Sequence, residues 1–425
     1  MEDWKIWNGD AWMHRGMDTK RQKIGKYRNG IKMNEQCKEK LACELLALSV
    51  FRNILNTKTM QSFISFLTEK DDIKKINFFG EFVYSLAEFN YSFSNFLSNA
   101  VLTDENKYIL SIAQKKEVSE TLLENTTKEL KIFSDLSKIT TDDLFDKVDF
   151  KYIPEFENTK TDFVKLYEKQ IKNISKVGYG IFATAKMFKV LDEQIIPIKS
   201  ADEISVDSFI GYKEQRKEIF DNTKALCEGK PAANILLYGD AGTGKSSTVK
   251  ACANYFYNEG VRLIEIRKDQ LLSLSYIMGK ITDNPLKFII FIDDLSFNKN
   301  DDNFSMLKAA LEGSASAKAN NAVIYATSNR RHIIKESFAD RHNEDDIHIN
   351  DTIQELTSLS DRFGLTVYFE KPNKNLYLEI VFALAARNNI KMDKEDLSLK
   401  AETFALNRGN RSPRVAEQFI NSLIL

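Results

Sequence analysis

The sequence predicts an α/β protein, with a parallel-sheet core that carries a phosphate-binding loop. A mainly α-helical N-terminal domain precedes that core and a small C-terminal helical lid follows it. Three observations carry this prediction. Between residues 31 and 177 there is a single glycine, Gly80, and a single proline, Pro154, so helix breakers are nearly absent and long helices are expected. After Pro197 short apolar runs alternate with helical stretches, the pattern of strands buried on both faces and joined by crossovers. One of those runs leads straight into Gly239-x4-Gly244-Lys245-Ser246.

Residues 1–33 differ in composition from the rest. They hold all three tryptophans and four of the seventeen glycines, and read as a flexible or extraneous arm. Residues 34–200 form the expected helical domain. Phe79, Phe82, Val83, Leu86 and Phe89 recur at three- and four-residue steps, as do Phe93, Phe96, Leu97 and Val101, which places both sets on core-facing stripes. The nucleotide-binding core is expected over 201–371, with strands at 234–238, 261–266, 288–292, 322–326 and 365–369. Between the second and third of these, Leu271, Leu272, Leu274, Ile277, Met278 and Ile281 fit one helix with Asp269 as its N-cap. Helical periodicity returns over 372–425, in Tyr377, Ile380, Val381 and Leu384, and forms the lid.

Composition excludes several classes. Sixty lysines and arginines against sixty-one acids give a net charge of −1, so no whole-chain field draws it to nucleic acid or a membrane surface. Cys37, Cys43, Cys227 and Cys252 show no metal spacing and read as reduced thiols. No apolar run approaches the roughly 18 residues of a membrane span, and a cytoplasmic location is expected.

The loop from Gly239 through Asp240, Ala241, Gly242, Thr243, Gly244, Lys245, Ser246 and Ser247 is expected to hold the phosphates of ATP. Glycines let backbone N–H groups turn inward, and the helix that follows adds its positive end. Lys245 reaches the outer phosphates, and Ser246 ligates Mg²⁺. The run Phe288–Ile292 ends in two acids. Asp293 is placed to hold Mg²⁺ through its water shell, and Asp294 to polarise the attacking water. Asp294 is one methylene shorter than glutamate, so slow hydrolysis is expected. Asn329, at the end of the next strand, is placed to hold that water through its amide.

These motifs, in this order, resemble the AAA+ ATPase superfamily over about residues 205–425. Asp293-Asp294 and Ser360-Asp361-Arg362-Phe363-Gly364 look most like its replication-initiator and helicase-loader branch. Taken whole, with the helical region and the run Thr327 to Glu336, the chain is similar to a bacterial AAA+ family classed as of unknown function. The resemblance implies an adenine-holding turn at Phe209-Ile210-Gly211-Tyr212. It also implies a homo-oligomer in which Arg362 reaches the ATP of a neighbouring subunit, with Arg330 and Arg331 as rivals for that role. Ser412 as N-cap and Pro413 at the first helical position put Arg414 in a first turn, where a cation needs an anion. Arg414 looks like the lid arginine that contacts the γ-phosphate, with Arg411 as its alternative.

Two further features have bland readings. Tyr276-Ile277-Met278-Gly279 resembles a polypeptide-gripping loop but fits a buried helix better. His342, Asp345, Asp346, His348 and Asp351 lack tight ligand spacing and read as a solvated insertion. The expected function is a Mg²⁺-ATP hydrolase that remodels a protein client, with an ATP-binding switch and a DNA-remodelling factor as alternatives.

Overall fold

The computed structural model describes residues 33–145, 152–198, 204–295, 307, 308, 311, 320–329 and 362–424. Residues 1–32 of the N-terminal arm, Asp361, Arg330, Arg331 and the 342–351 cluster lie outside the described residues.

Nine helices are described over residues 35–177: α1 (Glu35–Leu46), α2 (Lys58–Thr68), α3 (Asp72–Ser85), α4 (Phe93–Thr103), α5 (Lys107–Ala113), α6 (Glu120–Leu136), α7 (Thr141–Leu144), α8 (Phe163–Lys172) and α9 (Ile174–Val177). Asn34, Thr57, Asp71, Ser92, Asn106, Ser119 and Asp162 accept first-turn N–H bonds, so local capping sets where most of these helices begin. The two expected stripes meet in a phenylalanine-rich core. Phe63 and Phe82 each pack on Phe93, at 5.1 and 5.0 Å between ring centroids, and Phe79 packs on Phe145 at 4.8 Å.

A seven-stranded sheet follows among the described residues, built from β1 (Met187–Leu191), β2 (Gln194–Pro197), β3 (Ile235–Gly239), β4 (Val261–Ile266), β5 (Lys287–Ile292), β6 (Ala322–Ser328) and β7 (Leu365–Phe369). Its order is β2-β1-β4-β5-β6-β3-β7, and every pairing except β1 with β2 is parallel. All five expected strands are present; the four inner ones are nearly continuous in apolar side chains because both faces are covered, while the edge strand β7 exposes Thr366 and Tyr368. The hairpin β1–β2 is a departure, since the sequence reading ran the helical domain to residue 200. It turns through Asp192 and Glu193, both left-handed (φ 46° and 60°), without the glycine or asparagine that normally announces such a turn.

Helices α10 (Lys213–Cys227), α11 (Lys245–Tyr255) and α12 (Leu274–Ile281) accompany the sheet. The helix expected from Leu271 starts later, because Lys268–Ser273 forms a 3₁₀ segment first. Asp269 is therefore not its N-cap; its carboxylate pairs with Arg267. Ile277 and Met278 are buried, as the core reading of that stretch requires. The lid comprises α13 (Lys374–Arg387), α14 (Lys394–Asn407) and α15 (Pro413–Ile424) around Tyr377, Ile380, Val381 and Phe419. The fold class is thus the expected one: a parallel-sheet P-loop core, a small helical lid and a mainly helical N-terminal region.

Arg262 on β4 joins the helical region to the sheet. It is 1% exposed, and its guanidinium donates to the carbonyls of Lys176, Val177, Phe182, Tyr257 and Val261. Its plane lies 4.2 Å from the Tyr257 ring centroid. Burial pulls its pKa down to about 10.

Candidate functional site

Strand register assembles the site. Tyr238 is level with Ser328, and Ile292 with Ala326, so the chain emerges from β3, β5 and β6 at one edge of the sheet. The glycine loop, the two acids and Asn329 meet there. They line one cleft of about 290 Å³ with Ala241, Gly242, Gly244, Lys245, Ser246, Ser247, Asp293, Asp294, Thr327, Asn329 and Arg414.

Sterics explain the loop's glycines. Gly239 (φ 133°) leaves β3 so close to β7 that an added Cβ would strike the Phe369 carbonyl. Gly242 (φ 78°) faces the lid, where a Cβ would stand 3.0 Å from Ser412 Oγ and 3.2 Å from Arg414 Cβ. The Arg414 N–H donates to the Gly242 carbonyl at 3.3 Å, so lid and loop are in direct contact. Ser412 caps α15 as expected, accepting the Val415 N–H.

Lys245 opens α11 and turns back over the loop, donating to the carbonyls of Gly239 and Asp240, both at 2.8 Å, and to Asn329 Oδ1 at 3.3 Å. Burial pulls its ammonium below the usual lysine range, and Arg414 adds to that; Asp240, Asp293 and Asp294 pull the other way. Thr243 hydrogen-bonds the Asp240 carbonyl from within the loop.

Ser246 donates its hydroxyl to Asp293 Oδ1 at 2.6 Å. Asn329 donates Nδ2 to Asp294 Oδ1 at 2.9 Å while its own oxygen accepts from Lys245. The result is a continuous polar chain from Lys245 through Asn329 to Asp294. Thr327, which sequence reasoning did not select, is also present: its hydroxyl meets both Asp293 and the Asp294 backbone. Threonine is an ordinary strand residue, so nothing in the sequence alone marks it.

The Phe209–Tyr212 turn does not line this cleft. It sits at the seam between core and lid, with Ile210 packed on the lid core and Tyr212 on the sheet. Tyr212 donates its hydroxyl to the Glu370 carbonyl at 2.7 Å. Arg216 lies 4.3 Å from the Phe209 ring centroid, and burial brings its pKa down to about 10. From the lid, Arg387 donates to the Ser208 and Asp207 carbonyls.

The two lid arginines differ. Arg411 makes a two-pronged pair with Glu402, at 2.8 and 3.1 Å, which holds the carboxyl below its usual range. Arg414 lines the cleft. Arg362 is elsewhere, half-buried in the turn before β7. Leu365 is level with Ile235 at the start of β3, whereas the cleft follows Gly239. Arg362 therefore lies at the opposite edge of the sheet, beyond a strand length of about 13 Å.

Residues 183–424 match the family described as Protein of unknown function (DUF815). The chain belongs to that family. No curated protein matches it. Among solved structures it is similar to Thermotoga maritima RuvB in several forms. One single-residue variant of RuvB has a TM-score of 0.33 at 13% identity, over 52% of this chain and 72% of that one. A second variant scores 0.34 at 13% identity with the same coverage. A third structure, titled the RuvB Holliday junction branch migration motor, scores 0.32 at 12% identity, again with that coverage.

The residues of the cleft fit Mg²⁺-ATP. Glycines turn the loop inward at a helix N-terminus, a lysine and an arginine supply positive charge, and a hydroxyl beside a carboxylate is the hard-oxygen set that Mg²⁺ prefers. Among the described residues no group of three or more His, Cys, Asp and Glu forms a further metal site, and no helix is long and apolar enough to cross a membrane.

Proposed function

We propose that this family member is a Mg²⁺-dependent ATPase that works as an assembly and moves a protein client. One observation carries the reading: a single cleft gathers the loop, Ser246 with Asp293, the Lys245–Asn329–Asp294 chain and Arg414, while Arg362 lies across the sheet from it. Loop N–H groups and Lys245 hold the phosphates, and Ser246 and Asp293 hold the metal. Bound Mg²⁺ would neutralise charge on the phosphate oxygens. Asp294 accepts a proton from the attacking water, and Asn329 fixes that carboxylate's direction. Arg414 draws the lid onto the loop. Arg362 of one subunit completes the cleft of the next, where such a cation is worth roughly 10³–10⁵ in rate.

The test is ATPase rate per subunit against protein concentration, together with a mixing experiment. Arg362→Ala and Lys245→Ala are each expected to be nearly inactive, and their mixture to regain turnover where an intact arginine meets an intact cleft. Flat specific activity with no recovery on mixing rules out the shared site.

A second reading, an ATP-binding switch with negligible turnover, draws on the short Asp294 side chain already engaged by Asn329. Nucleotide-dependent association with turnover unchanged in Asp294→Asn favours the switch. Robust turnover lost in that variant excludes it.

A further inference from the structure

The end of β5 holds a backbone conformation that calls for a restraint. Asp294 is left-handed at φ 52°, although it is not glycine. Such residues cost of order 1–3 kcal/mol and persist only where their surroundings over-determine them. Thr327 supplies two of the restraints: the Asp294 N–H donates to Thr327 Oγ1 at 2.9 Å, and the Leu295 N–H donates to the Thr327 carbonyl at 2.7 Å. The Asp294 N–H also reaches Asp293 Oδ1 at 3.2 Å, and Asn329 holds the Asp294 carboxylate. The Thr327 hydroxyl in turn donates its one proton to Asp293 Oδ1, the oxygen that also accepts Ser246. A hydroxyl offers one proton and two lone pairs, and this one uses its proton on the first acid and a lone pair on the second.

The register explains the reach. Ile292 is level with Ala326, so the next residues along, Asp293 and Thr327, are cross-strand neighbours. Thr327 is 2% exposed, which leaves little room for water to substitute for its hydroxyl. Branching at Cβ restricts its χ1 rotation, so the oxygen is held in place rather than swinging.

We propose that Thr327 is a positioning residue for the nucleotide reaction. Its hydroxyl orients Asp293 for the metal, and it locks the left-handed turn that aims Asp294 at the cleft and Asn329. This rests on the Mg²⁺-ATP reading above and adds to it the group that fixes the geometry of the acid pair.

The test uses the full chain with Thr327→Val, which keeps shape and strand preference but removes the hydroxyl, and Thr327→Ser, which keeps the hydroxyl. Thr327→Ala runs in parallel in case valine does not fold. Binding of a fluorescent ATP analogue is titrated against free Mg²⁺ and repeated in EDTA, alongside steady-state turnover and melting temperature. Valine and alanine are expected to raise the Mg²⁺ concentration at half-saturation roughly 10- to 100-fold and to lower turnover. Their EDTA binding stays at the wild-type level, and serine restores both quantities.

An unchanged Mg²⁺ half-saturation in valine and alanine overturns the proposal. So does a parallel fall of EDTA binding and melting temperature in valine and alanine that serine reverses, which marks a purely structural hydroxyl. Wild-type protein that binds the analogue with Mg²⁺ but never hydrolyses it defeats the ATPase reading, yet a Mg²⁺ shift in the valine variant still supports this role for Thr327. Wild-type protein that binds no nucleotide overturns both.

Discussion

Gly242→Ala tests the contact between loop and lid. Gly242 is left-handed at φ 78°, and an alanine there carries about 1–2 kcal/mol of backbone strain. Its Cβ would also press on Ser412 Oγ at 3.0 Å and Arg414 Cβ at 3.2 Å, both part of the start of α15. Left to itself the variant loop relaxes out of that conformation and the lid backs away, so ATP binding has to restore both. The strain then appears in affinity: at 1.4 kcal/mol per tenfold, 1–2 kcal/mol weakens Kd by about 5- to 30-fold. The assay is a titration with a fluorescent ATP analogue in Mg²⁺. Gly409→Ala is the control. That position is also left-handed (φ 66°), but an added Cβ meets nothing within 4 Å. It should lower the melting temperature and leave Kd unchanged. A Gly242→Ala protein with wild-type Kd, or a Gly409→Ala protein weakened equally, refutes the reasoning.

Three further outcomes are expected. Arg262→Ala strips five carbonyl acceptors of their donor inside the junction and should destabilise the chain by at least about 1–3 kcal/mol, read by chemical denaturation; Arg262→Lys should recover only part of that because it lacks the fork. Arg414→Ala should weaken ATP binding, whereas Arg411→Ala, whose partner is Glu402, should leave ATP affinity at the wild-type value. Asp104→Asn should stabilise the helical region at neutral pH. Burial raises the Asp104 carboxyl above its ordinary 3.8; Asn106 and Asn53 hydrogen bonds oppose that, and Glu105 and Glu129 add to it. The folded state therefore binds the proton more tightly than the unfolded one, and the wild type loses stability as pH rises through that window. The advantage of asparagine, measured by denaturation at several pH values, should be full above the window and vanish below pH 3.8.

Much of this architecture was legible because the strong sequence patterns follow backbone geometry. The near-continuous apolar strands, the glycine loop at a strand–helix junction and the phenylalanine stripes all follow from which backbone shapes and which burials each residue tolerates. What stayed hidden follows from the same physics. Thr327 lies in an apolar strand where threonine is an ordinary strand former, so its hydroxyl is significant only once β5 is known to lie beside it. Arg262 sits in the strand Val261–Ile266, and no periodicity shows that its fork is enclosed by carbonyls from distant segments. The Asp192-Glu193 turn lacks glycine, so the hairpin that widens the sheet gives no local sign. Asp269 looked like a cap because the 3₁₀ turn preceding α12 shares the helix's apolar spacing.

The Arg262 joint has a mechanical corollary. A planar cation fastened to carbonyls from separate segments cannot slide by one residue without stranding its charge in a dry interior, so that seam is rigid. The opposite seam, where the lid meets the core, includes a 3.3 Å backbone bond from Arg414 to Gly242 and the exposed bonds from Arg387 to the Asp207 and Ser208 carbonyls. Displacement would concentrate at the weaker joint, and the helical body would travel with the sheet as one lever arm.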